Sequence, residues 1–209
     1  MRLHDSPVAP NPRRVRIFLA EKGIEVPTVD VDIVKAENRQ PPFLAKNPLG
    51  GVPILEFDDG TILAESTAIC RYFEETQPEP PLMGTDAKDR AVVEMWLRRV
   101  EFEVTFPVFM TFRNTHEFFK GRIPQVPEWG AVCKKRAIQQ LAWLDGEMAD
   151  RPFIAGDRYT IADIALLVGV DFGRVSDIRI DPEHKNLTRW YGEVSSRPSA
   201  PATNFSARR

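Results

Sequence analysis

The sequence predicts an α+β domain over residues 1–77, followed by an all-helical domain over residues 86–198. Three observations support this fold class. Strand and helix patterns alternate over the first third of the chain, in the order β-α-β and then β-β-α. A proline-rich segment follows, in which we place a linker over 78–85. Beyond it, apolar residues recur at helical spacing until a loosely held tail, predicted over 199–209.

Six elements are predicted in the first domain. In chain order they are a strand over 1–5, a helix over 11–22, a strand over 29–33, two strands over 52–57 and 61–64, and a helix over 65–75. Gly23 ends the first helix, and Asp58-Asp59-Gly60 is the turn of a tight β-hairpin. The β-α-β order implies a parallel strand pair joined by a right-handed crossover.

The second domain is helical nearly throughout. Four helical patterns cover residues 86–119, 128–149, 160–172 and 186–196, and Pro107 predicts a kink in the first of them. Five aromatic residues of that first pattern are expected to lie mostly in the core: Trp96, Phe102, Phe106, Phe109 and Phe112.

Composition and charge narrow the class of function. The chain has 209 residues, 43% of them hydrophobic and 28% charged, with a net charge of −2 and a pI near 6.0. Its charges are interspersed, so the sequence has no basic patch of the kind that binds nucleic acid. We therefore expect a small-molecule ligand or a protein partner, and no nucleic acid.

Neither a metal site nor a disulfide framework is predicted. Cys70 and Cys133 lie far apart, and His4, His116 and His184 lack metal-ligand spacing. The N-terminus lacks the apolar stretch of a signal peptide, and no window approaches the ~18 apolar residues of a membrane span. We therefore expect a cytoplasmic protein that does not associate with membranes.

The predicted strand over 52–57 contains a proline, which removes a ladder donor. Proline is tolerated in sheets at edges, first positions and bulges. One interpretation of Pro53 is therefore an edge strand. The other is a cis Val52–Pro53 bond that turns the main chain of Val52 outward, where an extended peptide can add like a short strand.

Glu65 and Ser66, in the stretch LAESTAI at 63–69, stand at the junction of a strand and a helix. A helix start attracts anions, because its free N–H groups and the positive end of its dipole point outward. Ser66 is part of such an anion site, a plain N-cap, or both.

These two stretches and a third, FIAGDRYTIADI at 153–164, resemble the cytosolic glutathione S-transferase family, and the likeness runs from residue 1 to about 198. The third stretch is the most specific and carries no chemistry, because Thr160 and Asp163 form a capping arrangement with Tyr159 before it. The resemblance implies a thioredoxin-like first domain, glutathione as co-substrate without a metal, and a homodimer.

The resemblance also implies roles for residues of the first domain. In this family, the residue before a cis-proline pairs its main chain with the cysteinyl unit of glutathione, and these two residues are Val52 and Pro53 here. Ser66 is expected to hold the γ-glutamyl carboxylate, and Glu65 the neighbouring ammonium group. Gln40 is a candidate for binding the glycyl carboxylate.

The chain departs from the family at the residue that activates the thiol. Most members carry a Tyr, Ser or Cys near the first helix, and Ala9 stands at that position here, with Ser6 upstream as a possible substitute. Some bacterial members similar to the disulfide-bond oxidoreductase branch carry Thr-Pro-Asn where this chain has Ala9-Pro10-Asn11, which makes Asn11 our candidate donor to the thiolate. Backbone amides around Ala9 are the alternative. Asn11 before Pro12 is also a favoured N-cap and N1 pair, and one side chain can fill both roles.

The function implied by the resemblance is the use of the glutathione thiolate, either for conjugation to a small hydrophobic electrophile or for reduction of a disulfide or peroxide. Phe109 and Arg113 are expected to line an apolar cleft for this second substrate. The alternative is a glutathione-binding or interaction protein with little turnover, which the missing hydroxyl permits. An isomerase of the zeta type is disfavoured, because its Ser-Ser-Cys loop is absent.

Overall fold

The computed structural model describes residues 1–201 of the chain. They form two compact units, one made of residues 1–82 with 198–201 and the other of residues 83–197. Residues 202–209 of the predicted tail lie outside the described residues. Ser199 and Ala200 are buried in the first unit, and Arg13 donates to the carbonyl oxygen of Ala200 at 3.0 Å. This part of the predicted tail is therefore held in place rather than loose.

The first unit is a four-stranded mixed sheet with three helices, which confirms the predicted α+β class. Its strands are β1 (Arg2–Asp5), β2 (Thr28–Asp30), β3 (Ile54–Glu56) and β4 (Ile62–Ala64). Its helices are α1 (Pro10–Lys22), α2 (Pro41–Leu44) and α3 (Ser66–Thr76). The strand order is β2-β1-β3-β4, in which β1 and β2 are parallel and the other two neighbouring pairs are antiparallel.

The two central strands, β1 and β3, are mostly buried. Neighbouring strand residues point to opposite sides, so the fully buried Leu55 and Ile54 face opposite sides of the sheet. Ile54 packs with Phe43 of α2 and with Val31, whereas α1 and α3 contact each other. The residues of this unit that are less than 2% exposed include Leu3, Val15, Ile17, Phe18, Ile54, Leu55, Ile69 and Cys70.

Two prolines explain where the elements of this unit differ from the prediction. β3 begins at Ile54 rather than at residue 52, because Pro53 has no N–H for the ladder. The short helix α2 was not predicted, because the segment around Pro41 shows no helical periodicity. Proline nevertheless suits the first turn of a helix, whose N–H groups have no intrahelical partner.

The second unit is helical, as predicted. Its helices are α4 (Ala87–Arg99), α5 (Phe106–Thr115), α6 (Pro127–Glu147), α7 (Ile161–Gly173) and α8 (Lys185–Ser195). Phe102 and Phe106 are 60% and 49% exposed, so their expected place in the core is wrong, whereas Trp96 is buried.

The long helical pattern after residue 86 is interrupted by a π-helical segment, Val100–Thr105, between α4 and α5. The sequence predicts only a kink at Pro107, which cannot donate a helical hydrogen bond. The hydroxyl of Thr105 donates to the carbonyl oxygens of Val100 and Glu101, at 3.3 and 3.0 Å. A π-bulge is a recognised cause of helix distortion, and here it lies directly before the proline.

Helix α7 begins at a buried carboxylate. Asp163 accepts hydrogen bonds from the backbone N–H groups of Ile154 and Thr160 and from the indole N–H of Trp190, all at 2.9 Å. Thr160 is the N-cap, and its pairing with Asp163 is the predicted capping box. Burial raises the pKa of Asp163 to about 6, even though these groups donate to it.

Candidate functional site

Two stretches with predicted roles, one around Val52 and one around Ser66, meet at one end of the sheet in the first unit. Ile54 pairs with His4 of β1 on one side and with Ala64 of β4 on the other. The start of β3 therefore lies beside the ends of β1 and β4, and we call this the loop end of the sheet. Val52 precedes Ile54 by two residues, and Ser66 follows Ala64 by two, a reach of at most about 7 Å for each.

Val52 has a main chain that is open to a ligand. The Val52–Pro53 bond is cis, as predicted. Val52 precedes the strand ladder and is half-buried. Among residues 1–201, neither its N–H nor its C=O has a hydrogen-bond partner. This pair of polar groups at the loop end is what an extended peptide needs for strand-like pairing.

Helix α1 begins one residue earlier than predicted, which changes the interpretation of Asn11. Ala9 is the N-cap, so the predicted pairing of Asn11 as N-cap with Pro12 as N1 is wrong. Pro10 and Pro12 flank Asn11 in the first turn and have no N–H. Asn11 therefore supplies the only free backbone N–H among the first three helical residues, together with its side-chain amide. Ser6, the alternative hydroxyl, is buried, with 1% of its surface exposed.

At the start of α3 the N-cap is Glu65, one residue before the Ser66 of the predicted capping arrangement. Glu65 stands at the N-cap position with a φ of 71°, and its side chain makes no cap hydrogen bond. Ser66 is the first helical residue and is 6% exposed, so it is not the N-cap. The interpretation of Ser66 as a plain N-cap is therefore wrong.

Arg14 is a residue of this site that sequence reasoning missed. One terminal nitrogen of its guanidinium donates to the hydroxyls of Ser66 and Thr67, at 3.2 and 3.1 Å, and Arg14 is 4% exposed. The signal was present, because Arg14 precedes the fully buried residues Ile17 and Phe18 by three and four positions, on the same helix face. An arginine on the buried face of a helix requires a polar partner.

Gln40 lies in a loop that is tied to the approach to Val52. Gln40 is exposed and precedes α2, and the structure gives its side chain no partner among residues 1–201. Just before it, Asn38 donates to the carbonyl oxygen of Gly50 at 2.7 Å, and Arg39 to that of Leu49 at 3.0 Å. The loop carrying Gln40 is thus hydrogen-bonded to residues 49 and 50, which precede Val52 by three and two positions in the sequence.

The two residues predicted for the second substrate lie in the helical unit, on α5. The ring of Phe109 packs edge-on against Phe172, with 5.4 Å between the centroids. The guanidinium of Arg113 lies 5.4 Å from the ring centroid of Phe119. Both belong to an aromatic cluster around Phe112, and their role toward a substrate remains a prediction.

Three further features concern the described part of the chain: clusters of metal-ligating side chains, the cysteines, and long apolar helices. No group of three or more His, Cys, Asp or Glu residues within 1–201 is placed to hold a metal ion. Cys70 and Cys133 are buried and not disulfide-bonded, and burial raises the pKa of the Cys133 thiol. In the same span, no helix has the length and apolar character needed to cross a membrane.

Glu65 provides a test that separates charge from backbone strain. A φ of 71° is unfavourable for any residue but glycine, so Glu65→Gly is expected to raise the free energy of unfolding by about 1 kcal/mol. Glu65→Gln, which removes the charge alone, should leave stability unchanged. If Glu65 pairs with a ligand ammonium, both variants should bind glutathione up to about fivefold more weakly, the range for an exposed ion pair. Unaltered binding by both in calorimetry would exclude that pairing.

Comparisons with family models cover most of the chain. A model described as glutathione S-transferase, N-terminal domain, matches residues 3–81. A second, described as glutathione S-transferase, C-terminal domain, matches residues 130–198.

Similar proteins support the same assignment. Glutathione S-transferase 2 of Saccharomyces cerevisiae is 36% identical over 206 residues, covering 95% of this chain and 87% of the relative. A maleylacetoacetate isomerase of Pseudomonas aeruginosa is 41% identical over 156 residues, covering 74% and 72%.

Solved structures agree in fold. The crystal structure of Gtt2 from Saccharomyces cerevisiae has a TM-score of 0.91 at 35% identity, over 96% of this chain and 98% of that one. A glutathione S-transferase domain-containing protein of Marinobacter aquaeolei VT8 also gives 0.91, at 37% identity, over 96% and 100%.

Proposed function

Because the chain belongs to the glutathione S-transferase family, we propose that the loop end of its thioredoxin-like unit binds glutathione and holds it as a thiolate. The protein is a glutathione transferase enzyme. The observation that carries the proposal is the main chain of Val52, which has no hydrogen-bond partner among residues 1–201 and lies at the loop end with the start of α3.

The cysteinyl unit pairs with Val52. Glutathione is an extended peptide, so it can accept a hydrogen bond from the N–H of Val52 and donate one to the C=O of Val52. Paired in this way, the cysteinyl thiol is placed at the loop end, where α1 begins five residues after Asp5.

The γ-glutamyl unit binds at the start of α3. Its carboxylate accepts from the Ser66 hydroxyl and from N–H groups of the first turn of α3, where the helix dipole favours negative charge. The ammonium group lies near the exposed carboxylate of Glu65. Gln40 is the proposed partner of the glycyl carboxylate, since its loop is tied to residues 49 and 50.

The thiolate is stabilised at the start of α1. A thiol is activated by lowering its pKa, because the thiolate is the nucleophile. The backbone N–H and the side-chain amide of Asn11 are the donors that this helix start offers. The backbone around Ala9 shapes the approach, since Ala9 lacks the hydroxyl found in most relatives.

The bound thiolate either attacks a small hydrophobic electrophile, forming a conjugate, or reduces a disulfide or peroxide. Phe109 and Arg113 are proposed to contact this second substrate. Isomerisation is a further candidate, because the Pseudomonas aeruginosa relative at 41% identity is a maleylacetoacetate isomerase. The missing Ser-Ser-Cys loop argues against it.

A panel of four substrates distinguishes these reactions. The purified protein is assayed with glutathione and an aryl halide, a mixed disulfide, a peroxide or maleylacetoacetate. Turnover of the aryl halide supports conjugation, and turnover of the disulfide or peroxide supports reduction. Binding of glutathione without turnover of any substrate would favour the alternative, a glutathione-binding or interaction protein.

We also propose a cytoplasmic homodimer that binds neither nucleic acid nor membranes. The exposed rings of Phe102 and Phe106, four residues apart, are apolar surface of the kind found in protein interfaces.

Asn11 is expected to lower the pKa of the bound thiol. Asn11→Ala removes one donor to a charged acceptor, so that pKa should rise by about one to two units. Asn11→Ser, which keeps a shorter donor, should show a smaller rise. The measurement is a pH titration of the ultraviolet thiolate absorbance of bound glutathione. If both variants titrate like the natural protein, backbone amides around Ala9 hold the thiolate instead.

A further inference from the structure

A buried positive charge lies directly behind the first turn of α3. The Nη1 atom of Arg14 is 3.2 Å from the Ser66 hydroxyl oxygen and 3.1 Å from that of Thr67. Arg14 and Ser66 are 4% and 6% exposed. The guanidinium of Arg14 therefore lies beside the positive end of the α3 dipole.

The contact from Arg14 also orients the Ser66 hydroxyl. A guanidinium has only donors, so the oxygen of Ser66 must accept from it. A serine hydroxyl has a single proton, which must then point away from Arg14. Ser66 is thus set to donate to a ligand on the far side of its oxygen, and an ionised carboxylate, which only accepts, matches that arrangement.

We propose that Arg14 is the positioning residue that makes this subsite select the α-carboxylate of the γ-glutamyl unit. It acts through the hydroxyls of Ser66 and Thr67 and through its charge, without touching the ligand. This role rests on the glutathione site proposed above. It adds to that site the residue that makes it prefer a negatively charged group. The contact joins α1 to α3 across 52 residues of sequence.

The test compares two ligands that differ only at the proposed partner. One is glutathione, and the other is 4-aminobutanoyl-cysteinyl-glycine, which is glutathione without its γ-glutamyl α-carboxylate. Calorimetry measures both with the natural protein, Arg14→Met and Arg14→Lys. Arg13→Met is the matched control, because Arg13 is a neighbouring arginine of α1, 7% exposed, whose Nη2 donates to the carbonyl oxygen of Ala200.

Arg14→Met should raise the dissociation constant of glutathione about tenfold, because the Ser66 hydroxyl that donates to the charged carboxylate loses the partner that orients it. The dissociation constant of the decarboxylated ligand should change less than about threefold, because its binding does not use the carboxylate. Arg14→Lys, which keeps the charge, should recover part of the loss for glutathione. Arg13→Met should change the two ligands by the same factor.

An equal loss of both ligands in Arg14→Met would overturn the role of Arg14 and leave it as a packing residue. If Arg14→Met does not fold, as judged by circular dichroism, Arg14→Lys decides: a loss of glutathione binding larger than that of the decarboxylated ligand supports the role, and an equal loss of both overturns it. A natural protein that binds neither ligand would instead overturn the proposed glutathione site, and the role of Arg14 with it.

Discussion

Replacing Ser66 with alanine is expected to raise the dissociation constant of glutathione at least tenfold. In the proposed site the buried Ser66 hydroxyl donates to the charged γ-glutamyl carboxylate, and such a bond is worth more than the roughly 1 kcal/mol of a neutral one. Ser66→Ala also leaves Arg14 with one acceptor fewer at this helix start. Titration calorimetry with glutathione measures the change, and circular dichroism checks that the fold is intact.

Ser6→Ala is the matched control for this experiment. Ser6 is also a buried serine of the first unit, 1% exposed, but it is not placed to meet a ligand. We expect its glutathione binding to equal that of the natural protein. If Ser66→Ala binds normally while folded, Ser66 has no part in the site. A selective loss in Ser6→Ala would mean that Ser6 supplies the hydroxyl that Ala9 lacks.

Removing the side-chain carboxyl group of Asp163 is expected to cost about 3–5 kcal/mol of unfolding free energy at pH 4. Asp163→Ala leaves three buried N–H groups, of Ile154, Thr160 and Trp190, without their acceptor, and each costs roughly 1–3 kcal/mol with partial relaxation. Urea denaturation followed by circular dichroism measures the loss.

The pH dependence of that loss tests its cause. Burial raises the pKa of Asp163 to about 6 in the folded protein, from about 3.9 in an unfolded chain. The folded state thus binds more protons between these values, and the contribution of Asp163 is lost as pH rises from 4 to 6. The gap between the natural protein and Asp163→Ala should narrow by roughly 2 kcal/mol over that range.

The comparison with Asp163→Ala is needed because the stability contribution of other carboxylates changes with pH in the opposite direction. Glu56 accepts from Arg2, Lys46 and His4, and these hydrogen bonds hold the pKa of Glu56 well below its usual range. Its contribution to stability is lost as pH falls. Since Glu56 is present in both proteins, it cancels in the difference. A gap independent of pH would show that Asp163 does not titrate between 4 and 6.

Local signals explain why much of the fold could be predicted. Gly23 and the Asp58-Asp59-Gly60 turn mark element ends through their own backbone preferences, and the capping box at Thr160 and Asp163 lies within four residues. Each of these features depends on neighbours in the sequence, so the sequence alone reveals them. Pro53 by itself left an edge strand and a cis bond open, and the resemblance to the family favoured the cis bond.

Features that depend on distant contacts could not be predicted. Arg14 meets Ser66 only after β4 has paired with β3, so the charge behind α3 was invisible in the sequence. The helical patterning around Phe102 and Phe106 is the same whether those rings are covered or exposed. In the π-helical segment before Pro107, the Thr105 hydroxyl donates to a backbone carbonyl oxygen. The spacing of apolar residues in the sequence gives no sign of such a hydrogen bond.

The measurement that tests the central claim most directly is the titration of the natural protein with glutathione, followed by the ultraviolet absorbance of the thiolate. If the loop end binds glutathione and holds it as a thiolate, the bound thiol should titrate at least one unit below the value of about 8.5 for an ordinary cysteine. A bound thiol that titrates near 8.5, or no saturable binding at all, would contradict the account.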